Sequence, residues 1–194
     1  MSNKGLLIVY TGASGVGKGT IMKKLLLSGS NNKFSISVTT REPRSGEKDG
    51  REYHFISHNE FKSMIQTNSL LEYAQYCDNF YGTPRREVEL MLSKGYNVFL
   101  EIEVQGGLQV KKNYPECISI FIMPPSIEEL ESRLRGRGTE SESVIQKRLD
   151  RALTELNFAP TYDYTVINYD VDKSVRDIMR IINNERSAMN NLRI

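Results

Sequence analysis

A chain of 194 residues, 39% apolar and 26% charged, is long enough to bury a real core and suits one domain with room for inserted lobes. Its formal net charge of +2 is too small to mark a nucleic-acid binder on bulk electrostatics. The apolar run Leu6–Tyr10 is far too short to cross a membrane, and no signal-peptide h-region or cleavage site accompanies it. Cys77 and Cys117 lack metal-ligand neighbours in the sequence and read as free thiols of a cytoplasmic protein. His54 and His58 stand four apart with no acidic or sulfur partner to complete a metal set, so they read as structural.

Leu6–Tyr10 reads as a buried strand, and Gly12-Ala13-Ser14-Gly15-Val16-Gly17-Lys18 follows it directly. Glycine at the first and sixth positions with lysine next is the spacing of a loop that cradles phosphates between a strand and a helix. Glycines let several N–H groups converge on one point, the following helix adds its positive end, and Lys18 adds a full charge. Gly12 to Thr20 are therefore the candidate residues for a nucleoside triphosphate. Gly19 stands where serine or threonine usually helps hold magnesium, with Thr20 one step later. Magnesium is expected as the cofactor, but no residue is assigned to it.

Thr20–Leu27 has helical spacing and stops near Ser28-Gly29-Ser30. Phe34–Thr40 alternates like a strand, and Arg41–Tyr53, charged and carrying Gly46 and Gly50, reads as an irregular loop. Next come a helix over Asn59–Asn68, a strand over Leu70–Tyr76 and a helix from Pro84 to about Ser93. The strand Asn97–Ile102 leads to a turn at Gly106-Gly107 and a helix through Lys112. The strand Ile118–Met123 ends at Pro124-Pro125. Ser126, with Glu129 three residues on, has the capping-box pattern for a helix over Ile127–Leu134. The remainder reads as a helix over Ser143–Phe158, a strand over Tyr164–Asn168 and a closing helix from Val171 to about Met189.

Strands separated by helices imply a parallel sheet covered on both faces, with ligands beyond the carboxyl ends of the strands. The stretch Ser35–Thr83 breaks that alternation with a charged, strand-rich lobe. Two guanidinium groups, Arg41 and Arg44, and two phenols, Tyr53 and Tyr81, fall within it. These could form a phosphate clamp or a solvated basic patch.

Four separated segments resemble the guanylate kinases, members of the nucleoside monophosphate kinases that use a phosphate-binding loop. They are Ser-Val-Thr-Thr-Arg-Glu-Pro-Arg at 37–44, Asn-Phe-Tyr-Gly-Thr at 79–83, Glu-Ile-Glu-Val-Gln-Gly at 101–106 and Arg-Leu-Arg-Gly-Arg-Gly-Thr-Glu at 133–140. The resemblance runs from about Gly5 to the closing helix. It implies an α/β fold with a three-layer α/β/α core (1–33, 84–125 and 146–194), an inserted GMP-binding lobe (34–83) and a small lid (126–145). It also implies transfer of the γ-phosphoryl of ATP to GMP, giving ADP and GDP. Residues matching Arg41, Arg44, Tyr53 and Tyr81 hold the phosphate of GMP, and those matching Ser37, Glu72, Thr83 and Glu103 face guanine. Glu103 stands where the family commonly has aspartate. Arg133, Arg137 and Arg148 resemble the arginines that converge, with Lys18 and Arg41, on the transferring group. Glu101 resembles an acidic residue at or just behind the metal, and Asn168 one near adenine.

Two other readings share the fold. Catalytically silent modules of membrane scaffolds bind phosphopeptides, but they look eroded in the phosphate loop, whereas Gly12, Gly15, Gly17 and Lys18 all stand here. A kinase for AMP or UMP is the other; Gly-Lys-Gly-Thr also resembles adenylate kinase loops, while Ser37, Glu72 and Thr83 argue against it. Beyond ATP and GMP, no nucleic-acid or membrane partner is expected.

Overall fold

The computed structural model describes residues 4–29, 31–76, 78–136 and 141–191, and for Asn190 the backbone alone. A five-stranded sheet runs in the order β2 (Asn32–Phe34), β7 (Asn97–Glu101), β1 (Leu7–Gly12), β8 (Ile118–Met123) and β9 (Tyr164–Ile167). β2 pairs in parallel with β7, and β8 with β9. β1 is buried along its whole length, as the apolar run Leu7–Tyr10 requires of a strand covered on both faces. The expected α/β class with a parallel sheet is what the chain adopts.

A second, mixed sheet runs β4 (His54–Phe55), β3 (Val38–Thr39), β6 (Asn79–Pro84) and β5 (Leu70–Tyr76). β3 pairs in parallel with β4 and antiparallel with β6, and β5 pairs antiparallel with β6. Its small core is Val38, Phe61 and Leu70, with Ile56, Met64, Ile65 and Phe80 packed against it. Phe61 comes from α2 (His58–Gln66), whose start is fixed by Ser57 and Glu60: the Ser57 hydroxyl accepts from the Glu60 N–H, and the Glu60 carboxylate accepts from Ser57 N–H.

The helices α1 (Lys18–Leu27), α3 (Arg85–Ser93), α4 (Val104–Asn113), α5 (Ile127–Arg135), α6 (Glu142–Leu156) and α7 (Val171–Asn191) fall between or after the strands, α5 and α6 in succession between β8 and β9. No helix among the described residues is long and apolar enough to cross a membrane. The chain divides into two compact units, Met1–Val9 with Asn31–Cys117 and Tyr10–Ser30 with Ile118–Ile194.

Three local expectations change. The single strand read over Phe34–Thr40 is two short strands in different sheets, because the chain leaves β7 after residue 34 and pairs with β4 and β6 from Val38 on. Gly106 and Gly107 are not a turn but lie buried in the first turns of α4. At Ser126 the hydroxyl accepts from Glu129 N–H, but the Glu129 carboxylate accepts from Arg133 Nε at 2.8 Å, so half of the expected reciprocal cap is made.

Candidate active site

In the unit built from Tyr10–Ser30 and Ile118–Ile194, β1 delivers the chain into the phosphate-type loop. Gly15 and Gly17 take φ of +90° and +93°, a left-handed backbone that a side chain would strain. Gly17 is also the N-cap of α1: its carbonyl accepts from Thr20 and Ile21 N–H at 3.1 and 3.2 Å, and it has no side chain to compete with an anion for the Lys18 and Gly19 N–H groups. The Lys18 ammonium donates to the carbonyls of Gly12 at 2.5 Å and Ala13 at 3.1 Å, which holds its charge over the loop. The Tyr10 hydroxyl donates to the Lys18 carbonyl at 3.1 Å. Gly19 and Thr20 are exposed in the first turn of α1.

Side chains from the same unit brace this loop. Asn168, 3% exposed at the end of β9, donates from Nδ2 to Val16 O at 2.7 Å and accepts at Oδ1 from the Ser174 hydroxyl at 3.1 Å. Arg133 donates to Asn168 O at 3.0 Å and to Val16 O at 3.4 Å. Arg148 donates from Nη2 to the Ser14 hydroxyl at 2.9 Å. Glu155, held by Arg151, accepts from Ser14 N–H at 3.1 Å. The structure thus brings Arg133, Arg148 and Asn168 to the loop. Arg137 lies outside the described residues, and so does Cys77.

The other unit collects the candidate acceptor residues. Arg41 donates from Nη2 to both oxygens of Glu47, at 3.0 and 2.9 Å, and lies 5.5 Å from the Tyr53 ring centre and 5.7 Å from that of Phe55. Burial opposes its charge, but Glu47 and the Tyr81 hydroxyl outweigh that and raise its pKa. The Tyr53 and Tyr81 rings meet edge to face at 5.9 Å. Arg44 is exposed, and its backbone N–H donates to the same Glu47 carboxylate at 2.8 Å. Arg41, Tyr53 and Tyr81 therefore form one cluster, and the Glu47 carboxylate takes the Arg41 guanidinium together with the Arg44 N–H.

A buried pair lies on β5 and β6. Thr83 donates from its hydroxyl to Glu72 Oε1 at 2.7 Å, and Glu72 is 6% exposed. Burial, reinforced by the charge of Glu103 and opposed by the Thr83 hydrogen bond, pushes the Glu72 carboxyl up to about 7. Glu103 is exposed at the N-cap of α4. Ser37 is half-buried just before β3, its carbonyl accepting from His54 N–H at 2.9 Å. Glu101 is exposed at the end of β7, and its charge contributes to raising the Tyr53 phenol, although burial is the largest cause there.

No group of three or more His, Cys, Asp or Glu side chains among the described residues could hold a metal ion. Gly19 offers no hydroxyl at the position where one usually helps hold magnesium, and the Thr20 hydroxyl stands one residue on. Glu47, Phe55 and Glu155 were missed from sequence. Glu47 is hidden in a charge run, and Glu155 lies 141 residues from its loop partner.

A family model described as guanylate kinase matches residues 4–185. The guanylate kinase of Desulfitobacterium hafniense is 49% identical over 180 residues, 93% of this chain and 90% of that protein. That of Caldanaerobacter subterraneus subsp. tengcongensis is 51% identical over 182 residues, 94% of this chain and 88% of that protein. The crystal structure of guanylate kinase from Anaplasma phagocytophilum aligns with a TM-score of 0.76 at 33% identity, covering 95% of this chain and 88% of that one. A family match over residues 4–185, with relatives about half identical over more than nine-tenths of the chain, leads to one conclusion: the chain belongs to the guanylate kinase family.

Proposed function

We propose that the protein transfers the γ-phosphoryl of ATP to the phosphate of GMP, releasing ADP and GDP. The buried Glu72–Thr83 pair carries this reading, because it supplies the two edges that guanine needs. A carboxylate accepts from the N1 and N2 donors of guanine, and a hydroxyl donates to O6. In the free site the Thr83 proton is given to Glu72. Guanine's own N–H groups would satisfy the carboxylate and let that hydroxyl rotate toward O6. Adenine presents a lone pair at N1 and an amino group at N6, the reverse of what is required.

Ser37 and Glu103 join this pair around the base. Arg41, Arg44, Tyr53 and Tyr81 take the phosphate of GMP, with the phosphate replacing Glu47 on Arg41. Gly12 to Thr20 take the ATP phosphates. Arg133 and Arg148, already hydrogen-bonded to the loop, and Arg137 stabilise the charge spread over the transferring group. Magnesium, when bound with ATP, neutralises charge between the donor phosphates. The attacking oxygen is already anionic, so no general base is needed; the work is positioning and charge stabilisation. Closing of the 126–145 segment would exclude water, which otherwise competes with GMP for the phosphoryl group.

A coupled assay of ADP release across GMP, AMP, UMP and CMP tests the reading. GMP should exceed AMP in kcat/KM by roughly 10⁴-fold, the discrimination expected when mismatched buried polar groups are left unpaired. Equal turnover of AMP would remove the base-reading role from Glu72 and Thr83.

A further inference from the structure

Glu72 sits where β5 loses its register with β6, in the irregularity between Leu70 and Tyr73. Leu70, Leu71 and Glu72 are buried in succession, so the alternation of a regular strand is broken and the carboxylate is turned inward. α4 packs over it. Three residues beyond Gly106, on the same face of that helix, Gln109 fastens the helix to the strand: its Nε2 donates to Tyr73 O at 3.0 Å and its Oε1 accepts from Tyr73 N–H at 3.3 Å. Helix and strand are thereby tied at the residue next to Glu72.

Gly106 is buried in this helix at an ordinary helical φ, so no turn or left-handed backbone asks for glycine there. Glycine is the poorest helix former after proline, and a local explanation for it is lacking. Its neighbours supply one. A Cβ built on Gly106 would lie 2.4 Å from Glu72 Oε2 and 3.1 Å from Glu72 Cδ. The end of a glutamate can ordinarily swing aside. This one is enclosed, and its other oxygen is held by Thr83 at 2.7 Å.

We propose that Gly106 is a positioning residue for guanine recognition: the volume of its absent side chain is where the Glu72 carboxylate is kept against Thr83. The inference rests on the reading of Glu72 as the base-facing acceptor, and it adds α4 to the elements that set specificity. Any side chain at 106 forces the carboxylate off Thr83 while the backbone frame, fixed through Gln109, stays in place.

Gly106→Ala tests this, read against the native enzyme's own preference for GMP over AMP. The KM for GMP should rise about ten- to a hundredfold, the effect of misplacing a charged hydrogen-bond acceptor, while the KM for ATP is unchanged. The GMP-to-AMP ratio of kcat/KM should shrink with it, which a purely structural role for Gly106 would not produce. Glu72→Asp draws the carboxylate back by one methylene and clears the added methyl, so Glu72→Asp in the Gly106→Ala background should bind GMP better than Gly106→Ala alone. If Gly106→Ala does not fold, recovery of folding in that double variant still places the clash at Glu72. An unchanged GMP KM in Gly106→Ala, or a double variant that recovers neither folding nor affinity, overturns the proposal. A native enzyme with no preference for GMP instead overturns the reading beneath it.

Discussion

Glu72 is the residue at which charge, burial and specificity meet. Its pKa of about 7 means that near neutral pH the free site holds a mixture of carboxylic acid and carboxylate, with burial the main cause. For stability the sign follows from the folded value lying above the unfolded one. The contribution is fully present below about 4.5 and is lost as pH rises through about 7. Guanine, a donor at N1 and N2, favours the ionised form, so GMP binding should tighten over the same rise. Both slopes belong to one group, and Glu72→Gln removes both. Urea unfolding of the two proteins from pH 4.5 to 8 should show the native chain losing about 3 kcal/mol relative to Glu72→Gln. The KM for GMP should fall from pH 6 to 8 in the native enzyme more than in the variant, a comparison that cancels titration of the GMP phosphate itself. The variant, with one acceptor edge replaced by a donor, should also lose roughly 10²-fold in kcat/KM for GMP. Parallel pH profiles in the two proteins would contradict the assignment.

At the scale of elements, the donor loop shows how a sequence motif and its support differ in legibility. The strand, glycine spacing, lysine and helix are contiguous, so β1, the loop and α1 could be read directly. What holds the loop could not, because Asn168, Arg133, Arg148 and Glu155 arrive from distant elements. Asn168 illustrates the consequence. The resemblance sets it near adenine; in the structure its amide supports Val16 O and receives the Ser174 hydroxyl. Its Nδ2 also lies 2.7 Å from where a Gly17 side chain would begin. Asn168→Ala should therefore raise the KM for ATP about tenfold, the low end for an orphaned buried carbonyl because Arg133 also reaches Val16 O. The ratio of ATP to GTP as donors should not change; a collapse of that ratio would restore the adenine contact. The same distinction explains the small sheet. Alternation revealed that Phe34–Thr40 is extended, but not that its halves pair in two sheets, since partner choice depends on β4, β6 and β7. A two-residue strand such as β4 carries no periodicity to detect. Gly106 was read as a turn because only Glu72, 34 positions earlier, explains a glycine within that helix.

For the molecule as a whole, the chemistry divides between two chain regions. Every candidate for GMP falls within Asn31–Cys117, and every described candidate for ATP within Tyr10–Ser30 or Ile118–Ile194. Each region presents cationic or N–H donors for an anion, which is what joining two polyanions requires and what a net charge of only +2 does not advertise. Such a division makes binding and turnover separable by mutation. Lys18 places its ammonium over the loop through the carbonyls of Gly12 and Ala13, so replacing it removes charge from the donor side. The Arg41, Tyr53, Tyr81, Glu72 and Thr83 groups keep their own mutual contacts. Lys18→Ala should lower kcat by at least about 10²–10³-fold, the usual effect of deleting a charge-stabilising donor, while the calorimetric affinity for GMP stays at the native value. A variant that loses GMP affinity in step with turnover would mean that the two anion sites do not act as independent halves, and a variant that remains active would remove Lys18 from the donor site.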